Sequence, residues 1–379
     1  MGIKTQSAAH LKATNPVNSP RFSQIVGALP EVVPFVAPET LERRAGRRLA
    51  LRMGANESPY GPSPLAIEAM GLAARTGNLY NDPEGFELRT KIAEQEGVPL
   101  SHVVLGAGID DLLMLVCRTF LDPGDPVVTS LGGYPTFNYA VDATGGTFVK
   151  TPYVDDRNDL GGLSGLAQKY RPKLVYLANP DNPSGSWYTP AEIVAFRHSL
   201  PQGTILLLDE AYADFALANP TFGLDDTGVI RLRTFSKAHG LAGLRVGYAV
   251  MPPAVAAATD KHRLHFGVNR VAQAGALASL DDVDHLDAVK AQTEYAKVRL
   301  AEIARKVGLE PLPSSTNFVC MATESRQRAE VILNGLALRD VFIRKPGVAP
   351  LDRCIRVTVA REPELELFEC LLLDVVSGI

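Results

Sequence analysis

The chain has 379 residues, 46% of them apolar and 21% charged, the balance of a soluble globular protein with a sizeable core. Lys and Arg number 38 against 42 Asp and Glu, and the net charge of −4 leaves no electrostatic footprint for nucleic acid or an anionic membrane. The length allows two domains and no apolar run reaches spanning length, so the expected partners are small molecules or a second copy of the chain.

The first residues, MGIKTQSAAHLKATNPVNSPRFSQ, lack the apolar core of a secretory signal. Pro16 and Pro20 interrupt the amphipathic helix that a transit peptide needs, so the expected location is the cytoplasm. NESPYG at 56–61 reads as a loop broken by Pro and Gly, with a helix expected from 64 to about 75. Apolar runs and helical stretches then alternate: strand 103–105, helix 110–120, strand 126–130 after the turn DPGD, and helix 134–144. KLVYLA at 173–178 is a strand ending at NPDNPSG, and TILLL at 204–208 is a strand ending at Asp209. Strands 229–234 and 244–251 follow. This alternation predicts an α/β fold with a mainly parallel central sheet and helices on both faces. Ligands collect beyond the carboxyl ends of such strands, where NPDNPSG, Asp209 and Ser236-Lys237 all fall. From about 281 the texture changes to a long helix, 285–307, and short strands around 317–321 and 354–359. The expectation is a large domain at 49–280 and a smaller α+β domain at 281–379, with the N-terminal segment 1–48 joining the smaller one. Cys117, Cys320, Cys354 and Cys370 form no C-x-x-C pair and have no histidine at zinc-ligand spacing, so they read as ordinary thiols and no metal is expected.

Three segments carry chemistry together: NPDNPSG at 179–185, LLLDEAY at 206–212 and RTFSKAHGLAGLRVGY at 233–248. Singly they are ordinary, since strand-end aspartates cap helices, lysines are solvated, and Asn-Pro and Pro-Ser-Gly mark turns. Jointly they match the demands of pyridoxal 5'-phosphate: an amine for a Schiff base, a carboxylate that keeps the ring nitrogen protonated, donors for the phosphate, and a partner for the phenolic oxygen. Lys237, Asp209, Ser236 with Arg245, and Asn182 with Tyr212 supply one candidate for each.

From about residue 33 to its end the chain resembles the class I/II aminotransferases, fold-type-I pyridoxal-phosphate enzymes, and is most similar to their histidinol-phosphate aminotransferase group. The resemblance lies in ANESPYGPSP, LYNDPEG, LGAGIDDLL, YPTFNY, ANPDNPSG, LLLDEAY, TFSKAHGLAGLRVGY, STNF, VFIRKPG and IRVTV. It implies a homodimer in which Tyr80 reaches the neighbouring subunit's cofactor phosphate. It implies that Gly108, Ile109 and Asp110 open the phosphate-cradling turn, where backbone N–H groups and a helix dipole favour an anion. It further implies that Phe137 stacks on the pyridine ring, that Arg356 clamps the substrate carboxylate, and that Arg344 works near the substrate's distal end. Asn56 and Phe35 are implied neighbours of the substrate. The implied reaction moves an amino group from a donor to a 2-oxo acid, with 2-oxoglutarate expected, and Lys237 acts as the base.

Several positions depart from that group's pattern. VPFVAP carries Phe35 where a tyrosine hydroxyl helps hold the substrate phosphate, Ile109 replaces a serine, Gly54 opens the segment before Asn56, and RLHFGVN brings His265 and Gly267. Ala360-Arg361 follows IRVTV where glycine is usual. The substitutions near the substrate leave two alternatives open: an aminotransferase for another amino acid, for example an aromatic one, or a decarboxylase or cyclising eliminase that keeps Lys237 and Asp209.

Overall fold

The structure, a computed structural model, describes residues 20–29 and 36–378; Phe35 lies outside the described residues. Its strands are β1 (Leu51–Arg52), β2 (Val103–Gly106), β3 (Pro126–Ser130), β4 (Thr147–Thr151), β5 (Leu174–Ala178) and β6 (Ile205–Asp209). They continue with β7 (Val229–Thr234), β8 (Gly247–Val250), β9 (Glu310–Pro311), β10 (Phe318–Ala322), β11 (Val341–Phe342) and β12 (Cys354–Thr358). Seven form one sheet in the order β2-β8-β7-β6-β5-β3-β4, where β8 runs antiparallel to both its neighbours and the other pairings are parallel.

Successive side chains of a strand point to opposite faces, and here both faces are covered. Tyr176, Leu207 and Ile230 pack into one apolar cluster with the helix Ile109–Phe120, while Val175, Leu177, Leu206 and Leu208 pack into another with Ile193 and Phe196. This is why the central strands read as unbroken apolar runs. Each such side chain contributes roughly 1.5–3 kcal/mol on burial.

A separate cluster joins Leu300, Ile303, Met321, Ile355, Val357 and Phe368, around the three-stranded sheet β12-β10-β9 and the helices Val283–Lys306 and Glu362–Ser377. Leu51 and Met53 also belong to it, and β1 pairs with β11 in parallel. The chain therefore leaves this cluster just after Met53 and enters the large sheet's surroundings through NESPYG. Gly240 lies where a Cβ would collide with the Gly61 carbonyl, so NESPYG docks directly on the turn that carries Lys237.

Two expectations shift at the edges. The strand expected over 244–251 starts only at Gly247, because Ala242–Leu244 is a 3-10 turn and Arg245 is left-handed at φ 56°. The helix expected over 134–144 begins at Pro135, leaving Tyr134 as its N-cap residue outside the helix.

Candidate active site

Strands β5, β6 and β7 are mutually parallel and end at one edge, which carries the loop 179–185, Asp209 and the turn of Ser236 and Lys237. Asp209 is buried; its Oδ2 accepts from Tyr176 Oη at 2.8 Å and its Oδ1 from the Ala211 N–H at 3.0 Å. Burial outweighs these two bonds and pushes the carboxyl up to about 6.

The Lys237 ammonium donates to the Asn56 carbonyl at 3.0 Å and stands 5.7 Å from the Tyr212 ring centroid. Burial first, then the Arg356 guanidinium, lowers the amine to about 8. Tyr212, itself buried, accepts from Asn56 Nδ2 at 2.8 Å, and burial raises its phenol to about 12.

At the start of the helix Ile109–Phe120, Gly108 has φ 84° and ψ 174°, a conformation nearly confined to glycine. A Cβ there would fall inside contact distance of Arg245 Nη2. Arg245 reaches Asp110 at 3.4 Å and Ser236 Oγ at 3.5 Å. The Ile109 side chain turns into the core, so this position brings only its backbone N–H to the cradle.

Arg356 projects from β12; its Nη2 donates to the Gly54 carbonyl at 3.1 Å and its Nη1 to Asn182 Oδ1, while its buried Nε has no partner among the described residues. Arg344 is linked to Arg356 by paired backbone hydrogen bonds of 3.2 and 2.7 Å, and its guanidinium donates to the Val36 carbonyl at 3.1 Å. Burial and the like charge of Arg356 lower its pKa. Lys237, Asn56 and Tyr212 are thus hydrogen-bonded together, and Arg356 joins Asn182 to Gly54, two residues before Asn56, with Asp209 and the Gly108 cradle at the same edge of the sheet.

Two expected residues stand apart from this group within the chain. Phe137 was expected against a pyridine ring, but it is 1% exposed and its face is taken by Tyr176, with ring centroids 4.2 Å apart and planes within 12°. It occupies the third position of its helix and turns into the core. The aromatic that this motif leaves beside the cradle is Tyr134, partly exposed, whose hydroxyl donates to Asp110 Oδ1 at 2.9 Å. Burial and the Asp110 carboxylate raise its phenol far above the usual range. Tyr80, expected to serve a neighbouring subunit, is 79% exposed, with its ring tilted by 33° against Phe266 at 4.7 Å between centroids and Arg270 donating to its carbonyl. Sequence reasoning missed Tyr134, Tyr176, Asn317 and Thr358; the second tyrosine was hidden in an apolar run.

The family model described as aminotransferase class I and II matches residues 50–369. The chain belongs to the class I and II aminotransferases. Among its relatives, histidinol-phosphate aminotransferase 2 of Carboxydothermus hydrogenoformans is 34% identical over 86% of this chain and 91% of its own. The histidinol-phosphate aminotransferase of Anaeromyxobacter sp. is 35% identical over 90% and 95%. The crystal structure of histidinol-phosphate aminotransferase from Sinorhizobium meliloti in complex with pyridoxal-5'-phosphate superposes with TM-score 0.92 at 44% identity, over 96% of this aminotransferase and 99% of that chain. No helix among the described residues is long and apolar enough to cross a membrane.

Proposed function

We propose that this aminotransferase holds pyridoxal phosphate on Lys237, takes histidinol phosphate as amino donor, and passes the amino group to a 2-oxo acid. The observation that carries the reading is the convergence of a half-buried amine at about 8, the buried Asp209 carboxyl and a glycine-only anion cradle at one sheet edge. These residues fit the cofactor: a Cβ at Gly108 would fill the cradle, and the acceptor that Arg245 now meets is the carboxylate of Asp110. When bound, the cofactor supplies an electron sink for the donor's Cα electron pair.

In this reading the phosphate is held by the N–H groups of Gly108, Ile109 and Asp110, by Ser236 and Arg245, and by Tyr80 of a second copy. The exposed apolar residues Leu79, Tyr80, Leu264 and Phe266 support a homodimer. Asp209 would serve as counter-ion to the ring nitrogen, Tyr134 would pack on the ring, and Asn182 and Tyr212 would hydrogen-bond the phenolic oxygen. Lys237 Nζ would take the proton from the donor's Cα and hold it for return; an amine near 8 has enough neutral form at physiological pH to do so. Arg356 and Arg344 hold the donor's anionic group, with the unpartnered Nε of Arg356 available to it. We also propose a division into a large domain, 49–280, and a small one, 281–379, that takes up the N-terminal segment 1–48.

The test compares kcat/KM for histidinol phosphate with that for free amino acids, following formation of the keto product with 2-oxoglutarate as acceptor. A preference for histidinol phosphate of two orders of magnitude or more is expected. A preference for an aromatic amino acid overturns the substrate, and release of carbon dioxide or an eliminated fragment without stoichiometric keto product overturns the reaction.

A further inference from the structure

Asn56 is a buried asparagine at φ 56°, a left-handed conformation that this residue type tolerates better than most. All four of its polar groups are used. Its N–H donates to Thr358 Oγ1 at 3.1 Å, and the same hydroxyl donates to Asn56 Oδ1 at 3.0 Å. Its Nδ2 donates to Tyr212 Oη at 2.8 Å. Its carbonyl accepts from Lys237 Nζ at 3.0 Å and from Asn317 Nδ2 at 3.1 Å. Asn317, 1% exposed, also approaches the Glu57 carbonyl at 3.5 Å. Turned over, its amide would set an oxygen against two carbonyl oxygens, so the donor side is fixed.

From these contacts we infer that Asn317 and Thr358 are positioning residues for Lys237, acting through the Asn56 carbonyl. The inference rests on Lys237 being the base of the proposed reaction. A neutral amine has one lone pair and two N–H bonds. When a fixed carbonyl accepts one N–H, the directions open to the lone pair are restricted, and the amine presents it to a reacting Cα without searching. A free Asn56 carbonyl could turn away; here the Thr358 hydroxyl pins the backbone and side chain on one side and the Asn317 amide pins the carbonyl on the other. Both come from the three-stranded sheet, at the end of β12 and just before β10, whereas Lys237 follows β7 of the large sheet. Asn56 is the bridge between them.

The experiment uses Thr358→Val, which removes the hydroxyl at nearly constant volume, Asn317→Ala, and Thr358→Ser, which restores the hydroxyl. In the cofactor-free protein the pKa of Lys237 is read from the pH dependence of its reductive methylation, mapped to the peptide. Glu57, Asp110, Arg245 and Arg356 act on this amine and are unchanged in every variant. A carbonyl acceptor favours the ammonium form, so its loss lowers the Lys237 pKa, by about half a unit to one unit in Thr358→Val and Asn317→Ala. Loaded with cofactor, both variants lose roughly tenfold in kcat, show a larger Cα-deuterium isotope effect, and keep KM and cofactor affinity within about twofold. Thr358→Ser returns both readouts towards wild type. The inference is overturned if Val and Ala variants lose only thermal stability, with the methylation pKa and isotope effect unmoved, or if Thr358→Ser behaves like Thr358→Val. Borohydride reduction that fixes the cofactor to another lysine overturns the proposed function instead, and leaves the methylation result as an independent measure of the hold on Lys237.

Discussion

Replacing Gly108 with alanine isolates the anion cradle from the rest of the site. At φ 84° and ψ 174° an alanine is strained by about 1–3 kcal/mol. Its Cβ would also press on Arg245 Nη2, the group that in the present geometry leans on Asp110. The cofactor-free loop escapes the strain by changing conformation, because the helix behind it is anchored by Leu112, Leu113 and Val116 in the core. Binding a phosphate then requires the strained conformation to be restored, so the strain reappears as lost affinity. At 1.4 kcal/mol per factor of ten, that is about 5- to 140-fold. The assay is a titration of cofactor-free wild type and Gly108→Ala with pyridoxal phosphate and, separately, with pyridoxal, which lacks the phosphate. Gly108→Ala should weaken pyridoxal phosphate by the stated factor and pyridoxal by less than about twofold. Equal losses for both ligands would refute the reasoning, because the defect would then lie in the pocket for the ring. Unchanged affinity for pyridoxal phosphate would show that the cradle does not require this backbone conformation.

Other consequences can be measured without knowing the substrate. Lys237 sits at about 8 against an ordinary 10.5, so between those values the unfolded chain binds a proton that the folded cofactor-free chain has released; stability rises with pH across that window, and Lys237→Met removes the rise in urea titrations. Asp209 has the opposite sign: raised from 3.8 to about 6, it makes the folded chain hold a proton that the unfolded chain has lost, so stability falls as pH climbs from about 4 to 6, and Asp209→Asn flattens that limb. Phe137→Ala, which empties a core position, should lose about 3–5 kcal/mol of stability, whereas Tyr134→Ala should cost little stability and weaken cofactor retention; the reverse pattern in denaturation and retention measurements would return the ring-facing role to Phe137. Sedimentation should find a dimer, and Tyr80→Phe should lose cofactor affinity without unfolding, so full activity of a monomer would remove Tyr80 from the site.

The parts of this molecule that were legible in its sequence are those set by local chemistry. The central strands could be read because burial on both faces makes them unbroken apolar runs, and their carboxyl ends could be read because they stop at turn-forming text such as NPDNPSG. The edge strand Thr147–Thr151 is half-buried and mixed in character, and it escaped that reading, as did the Gly-containing helix Leu160–Tyr170. The site divides in the same way. Lys237, Asp209 and Gly108 are recognisable because each stands at a strand end or helix start and the three occur together at fixed spacings, Asp209 closing its apolar strand and Gly108 preceding its helix. Phe137 was named by resemblance alone, and its burial against Tyr176 depends on packing that its own segment does not spell out. The hold on Asn56 depended on still less local information, since its partners stand 261 and 302 residues away and meet it through the register that pairs Phe318 with Thr358. No spacing rule connects such positions. A side chain that acts only through another residue's backbone leaves no signature in its own segment, which is why the groups closest to the reacting atoms were the easiest to find and those that aim them were found last.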